Sequence, residues 1–268
     1  VTSRVVRFTA SSLTTLGLAA SLPACDPQDG EAMLRVHIYG EEFIEDKIPA
    51  DVLVDGWELD FAVFLVAVSD IAADEEPLNG AYLFDLTASS GGAGHSVGEI
   101  IVPAGTTAHL NYRLAPVSSF DGGNATTEQR SIMTDGGYSM YVEGTATRGN
   151  ESKSFAWGFS QDTAYTHCHI DRELSDGESD DVEITIHADH LFYDDLDSET
   201  PNVAFDIMAR ADANGDGTVT ADEMAAVDIT GEARYQVGSR PIDDLWNFVV
   251  AQTATVGHID GEGHCNAG

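Results

Sequence analysis

Lysine is nearly missing from this chain: it occurs at Lys47 and Lys153 and nowhere else in 268 residues. Lysine and arginine together number 12 against 46 aspartates and glutamates, a formal net charge of −34 at pH 7. A surface so short of positive charge repels phosphate backbones and anionic headgroups, which argues against nucleic acid as a partner and favours cations. Cysteine is sparse too, with only Cys25, Cys168 and Cys265. Beyond the N-terminal segment no apolar run is long enough to cross a bilayer as a helix. There is no internal repeat, no long low-complexity linker and no β-helix-β alternation of a doubly wound sheet. No carboxylate pair or other catalytic grouping stands out, so the expected protein is not an enzyme.

What is present reads as strands. Residues 33–39, 57–68, 81–87, 98–102, 107–114, 139–147, 154–160 and 182–187 are short runs rich in β-branched and aromatic residues. Asp55-Gly56, Asn79-Gly80, Gly91-Gly92, Asp121-Gly122-Gly123, Asp135-Gly136-Gly137 and Gly149-Asn150 punctuate them as turns. Many short strands at regular turn spacing predict a mainly β protein, an antiparallel β-sandwich over residues 32–190. Helical signals gather after Leu191, so residues 191–268 are expected to form a small helical appendage and a C-terminal tail.

That appendage contains a calcium-loop pattern. Residues 212–223 read Asp-Ala-Asn-Gly-Asp-Gly-Thr-Val-Thr-Ala-Asp-Glu. Asp212, Asn214 and Asp216 offer side-chain oxygens at the first, third and fifth places. Gly217 stands sixth, where the chain must turn sharply, and Thr218 offers its backbone carbonyl seventh. Thr220 stands ninth, and Glu223, twelfth, can bind through both oxygens. The loop resembles the EF-hand family, which implies a bound calcium ion. An entering helix is predicted over 201–211, capped by Ser198 or Thr200, and an exiting helix over 221–227, capped by Thr220. Sensor EF-hands usually come in pairs, so a lone loop points to a structural calcium.

Residues 1–25 begin with Arg4 and Arg7, continue as a weakly apolar run over 8–22 and end in Leu22-Pro23-Ala24-Cys25. The apolar run over 8–22 is too short to span a bilayer as a helix, and the segment resembles a bacterial lipoprotein signal. That resemblance implies cleavage before Cys25, a lipid on its thiol, a polar tether over 26–31, and a place in the cell envelope through a lipid anchor. An ordinary secretory signal cut after Ala24 is the alternative. If Cys25 carries lipid, Cys168 and Cys265 remain as an even pair in an oxidising compartment, which favours a disulfide. Each also sits beside a histidine, so a role as metal ligands is the rival.

Six of the nine histidines lie from residue 167 onward. His167 and His169 flank Cys168, and on a strand they share the face opposite to it. His187 and His190 share a face only if the chain turns helical after Ala188. His258 and His264 bracket the segment before Cys265. A Cys168–Cys265 bond is expected to bring His264 beside His167 and His169. Imidazole clusters suit copper or zinc, so His167, His169, His187, His190, His258 and His264 are the candidate ligands of a transition metal. His37, His95 and His109 lie outside this set.

The ordered series Trp57-Glu-Leu-Asp-Phe, residues 64–71 ending Ser69-Asp70, Phe84-Asp-Leu-Thr and Val102-Pro-Ala-Gly105 resembles the N-terminal half of periplasmic copper-binding proteins associated with methanobactin uptake. The resemblance implies a β-rich fold and copper held by histidines. Gly94-His-Ser-Val-Gly98 matches the nucleophile elbow of α/β-hydrolases, but Ser96 is followed by a strand-like run where the elbow needs a helix. The expectation is an exported, calcium-stabilised sandwich protein that binds copper or zinc. The alternative is a calcium-dependent surface adhesion or glycan-binding module using Trp57, Trp157 or Trp246.

Overall fold

Strand β1 (Glu31–Tyr39) alternates between covered and less covered residues along its whole length, the period-two pattern of a strand with one face on a core. In the computed structural model, which describes residues 30–105 and 107–268, it lies inside a four-stranded sheet. Its neighbours there are β5 (His95–Pro103) and β10 (Ser179–Ile186), and β12 (Gly257–Ile259) adds to the far edge of β10.

The second, nine-stranded sheet is built on β2 (Glu58–Ala73), which is 16 residues long and long enough to serve several partners. Its first half pairs with β7 (Met140–Arg148) and its second half with β6 (Thr107–Leu114). The short strands β3 (Glu76–Leu78) and β4 (Tyr82–Asp85) also pair with β2. Beyond β7 come β8 (Glu151–Phe159) and β11 (Thr218–Val219); beyond β6 come β9 (Thr163–Glu173) and β13 (Asn266–Ala267).

The fold is mainly β and open, with few helices, as a β-sandwich requires. The sheets are mixed, however, and not purely antiparallel. β1 runs parallel to β10, and β11 runs parallel to β8. The chain leaves β1, builds most of the other sheet and returns at β10, and so long a crossover permits parallel pairing. Leu34, Val36 and Ile38 of β1 and Val182, Ile184 and Ile186 of β10 share one hydrophobic cluster with Phe64, Val66, Phe155 and Trp157 of the other sheet.

Among the described residues five α-helices decorate the sheets: α1 (Glu41–Glu45), α2 (Thr127–Gly136), α3 (Asp206–Ala211), α4 (Ala221–Ala225) and α5 (Leu245–Gln252). Helix α2, absent from the sequence reading, starts at a capping box between Thr126 and Gln129. Its Met133 covers Leu65 and Ala67 on the outer face of β2. Helix α3 begins five residues later than the expected 201–211 helix and uses neither Ser198 nor Thr200. Its first N–H groups, those of Phe205 and Asp206, both donate to Asp55 Oδ2 at 2.7 Å. Val203 is meanwhile held extended between Leu53 and Tyr193.

Residues after 190 add strands to both sheets, and Leu245, Phe248 and Val249 belong to the same cluster as β1 and β2. Cys168 and Cys265 form a disulfide that fastens the tail to β9. Cys25 and the 1–25 signal segment lie outside the described residues, and Glu31 of the expected tether already belongs to β1. Among the described residues no helix is long and apolar enough to cross a membrane.

Candidate metal centres

Strand β10 ends at Ile186, and a short 3-10 helix, Asp189–Phe192, follows Ala188. That turn rotates the chain so that His187 and His190, three residues apart, stack with ring centroids 5.1 Å apart. His258 arrives on β12, whose Thr185↔His258 pairing sets it beside the end of β10. Its ring lies 4.5 Å from that of His187 and 5.2 Å from that of His190. All three are buried.

Carboxylates complete the cluster. One ligand atom from each of His187, Asp189 and His190 lies within 4.8 Å of the others, and the same holds for His187, His258 and Glu262. His187 is common to both groups. Glu41, held at a φ of +55°, places Oε2 3.5 Å from His187 Nδ1. Two polar atoms here are buried without a hydrogen-bond partner: His258 Nδ1 and Asp189 Oδ1. Buried polar atoms are rarely left unpaired, so these two ask for a ligand.

The electrostatics suit a cation. Burial, reinforced by His187, pushes His190 down to about 4, against the opposing hydrogen bond with the Thr255 carbonyl. Burial and the neighbouring imidazoles push His258 down to about 4 as well. Both rings are therefore neutral near pH 7, the form that binds metal. Burial raises Asp189 and Glu41 above the usual carboxylate range, because ionising them in this setting is costly without a countercharge. Each of the two groups is a pair of imidazoles with one carboxylate, a donor set used by catalytic zinc and by non-haem iron and compatible with copper(II).

Surrounding residues fix the ligands. Thr255 carbonyl and Oγ1 lie 2.7 and 3.0 Å from His190 Nδ1, and the Tyr193 hydroxyl donates to Asp189 Oδ2 at 3.0 Å. Tyr112 donates to the His258 carbonyl at 3.0 Å and stacks on Tyr165. A cleft of about 340 Å³ opens beside His190, His258, Glu262 and His264, giving the centre access from solution.

The six histidines expected as one set therefore separate. His187, His190 and His258 converge, and His264 packs against His258 at 5.7 Å. His167 and His169 do not join them. The disulfide forms, but strand alternation buries Cys168 and leaves both neighbouring histidines exposed on the outer face. There they meet His109, which the sequence reading set aside. Asp189 and Glu262 were legible in principle, since Asp189 lies between His187 and His190 and Glu262 between His258 and His264. Glu41 carried no local signal.

The 212–223 loop is held by hydrogen bonds to its own first residue. Asp212 Oδ1 accepts the N–H of Gly215 at 2.8 Å, and Oδ2 accepts that of Gly217 at 3.0 Å. Gly217 sits at a φ of +86°, which its lack of a Cβ permits. Thr220 caps α4 in a capping box with Glu223, whose Oε1 is buried and unpartnered. Thr218 pairs with Ser154, so the loop leans on the edge of the large sheet. Lys153 reaches from that edge to Asp212 Oδ2 at 2.5 Å and, with the loop N–H groups, holds this carboxyl below its ordinary range.

The features invoked for the alternative readings are placed differently. Trp57 and Trp157 are fully buried, and Trp246 is half-buried against Phe159 at 5.1 Å. Ser96 lies inside β5, paired with His37, where no strand-to-helix elbow exists. Compared with protein-family models, curated proteins and solved structures, the chain matches none.

Proposed function

We propose that this is an exported, non-enzymatic metal-binding protein that holds copper(II) or zinc through His187, His190 and His258 with the carboxylates of Asp189 and Glu262. The observation that carries the reading is the buried His258 Nδ1 without a partner, in a ring packed against the imidazoles of His187 and His190. None of these five groups is a thiolate or thioether, which favours borderline divalent ions over copper(I). Calcium at Asp212, Asn214, Asp216, Thr218 and Glu223 is the structural ion of this proposal, supported by the folded loop and the orphaned Glu223 oxygen. The Cys168–Cys265 disulfide fits an oxidising compartment, in line with export and an anchor at Cys25.

The test uses the full chain, stripped by a chelator and reloaded with zinc or copper(II) in separate dialyses. His187→Ala removes the residue common to both ligand groups. The wild type is expected to retain one transition-metal equivalent more than His187→Ala after dialysis. Equal metal content in the two proteins, with both folded by circular dichroism, would reject the reading.

A further inference from the structure

Strands β6 and β9 set His109 directly opposite His169, on the side of the ladder that faces solvent. The two imidazoles meet edge to face with centroids 5.2 Å apart, and the His167 ring lies 6.1 Å from that of His109. For comparison, two imidazoles sharing a tetrahedral zinc at about 2.0–2.1 Å per Zn–N bond have centroids about 5 Å apart. The backbone is bent at two points to make this arrangement. His167 has a φ of +53° at an irregularity in the β6–β9 register, and its N–H is tied to Asn111 Oδ1 at 2.8 Å. Asp74, also left-handed at +50°, accepts the His109 N–H at 3.1 Å and donates its own N–H to the His109 carbonyl at 2.8 Å. Left-handed non-glycine residues are uncommon and collect at functional sites.

Asp74 Oδ1 also lies 3.3 Å from His109 Nδ1. A carboxylate on Nδ1 fixes the tautomer and directs Nε2 outward, the usual support of a metal-binding histidine. Beneath the three rings the floor is rigid: Leu110, Cys168 and Ile170 are buried, and Cys168 is bonded to the tail. The three donor nitrogens do not all fall within 4.8 Å of one another, so closing on an ion requires side-chain rotation.

We infer that His109, His167 and His169 form a second, solvent-facing site for a borderline divalent transition ion, zinc or copper(II), with Asp74 as a positioning residue. The site shares no ligand with the buried centre and stands whether or not that centre binds metal. It exchanges its ion directly with solution, because strand alternation leaves its rings on the outer face.

Zinc titration of the full chain, in competition with a chromophoric chelator and followed by imidazole NMR signals, tests the inference. In His187→Ala, the rings of His109, His167 and His169 are expected to shift together as one equivalent binds. Adding His109→Asn or, separately, His169→Asn removes that equivalent. Asp74→Asn keeps the equivalent but weakens it about 10- to 100-fold. Three imidazoles that do not respond to zinc, or zinc binding unchanged by both histidine substitutions in folded protein, would overturn it.

Discussion

The buried centre depends on one residue that binds nothing. Gly257 precedes His258, and a Cβ there would lie 2.6 Å from Tyr112 Oη and 2.6 Å from the Tyr165 ring. The backbone therefore passes as close to the stacked tyrosines as a side chain would allow only by having none. Tyr165 Oη meets the Gly257 N–H at 3.3 Å, and Tyr112 holds the His258 carbonyl, so this contact sets where the His258 ring emerges. Gly257→Ala is expected to cost about 1–3 kcal/mol through overpacking, measured by urea unfolding, and to weaken zinc binding at the buried centre. An alanine variant with wild-type stability and wild-type affinity would show that the tyrosine pair does not position His258.

At the scale of elements, the disulfide joins β9 to the last turn of the chain and closes a loop with a sequence separation of 97. Replacing Cys168 and Cys265 by alanine is expected to lower stability by about 2–5 kcal/mol in chemical denaturation. Zinc affinity should fall with it, because His258, Glu262 and His264 all lie on the segment that the bond holds. How much of this was legible differs element by element. Alternation in residues 33–39 or 139–147 is local, so those strands could be read directly. Helix α2 was hidden because Gly136-Gly137 reads as a turn, although Thr126 and Gln129 spell its capping box. The start of α3 is decided by Asp55, some 150 residues away, and no local pattern contains that. The same holds for the sites. The His187–Ala188–Asp189–His190 run shows its candidate ligands, but the convergence of His258 and the pairing of His109 with His169 follow from strand register, and the approach of Glu41 from the fold as a whole.

For the whole molecule the governing fact is a net charge of −34. Self-repulsion on that scale destabilises a compact state, and bound cations relieve it. Calcium that binds the folded loop alone adds roughly 2.7 kcal/mol at a hundredfold excess over Kd. Its removal by chelation is expected to lower the thermal midpoint by roughly 5–10 °C for a chain of this size. Calorimetry with and without calcium checks this, and Glu223→Gln should abolish the difference; a wild-type midpoint indifferent to calcium would remove the structural ion. The place of β1 has a mechanical consequence. The first described strand is not at an edge but between β10 and β5, paired with β5 from Glu31 and with β10 from Met33. A pull entering through residue 30 runs along the strand, so the two ladders are loaded in shear and their hydrogen bonds must yield together, not one at a time. A chain held at its N-terminus in flowing liquid would carry drag through these two ladders.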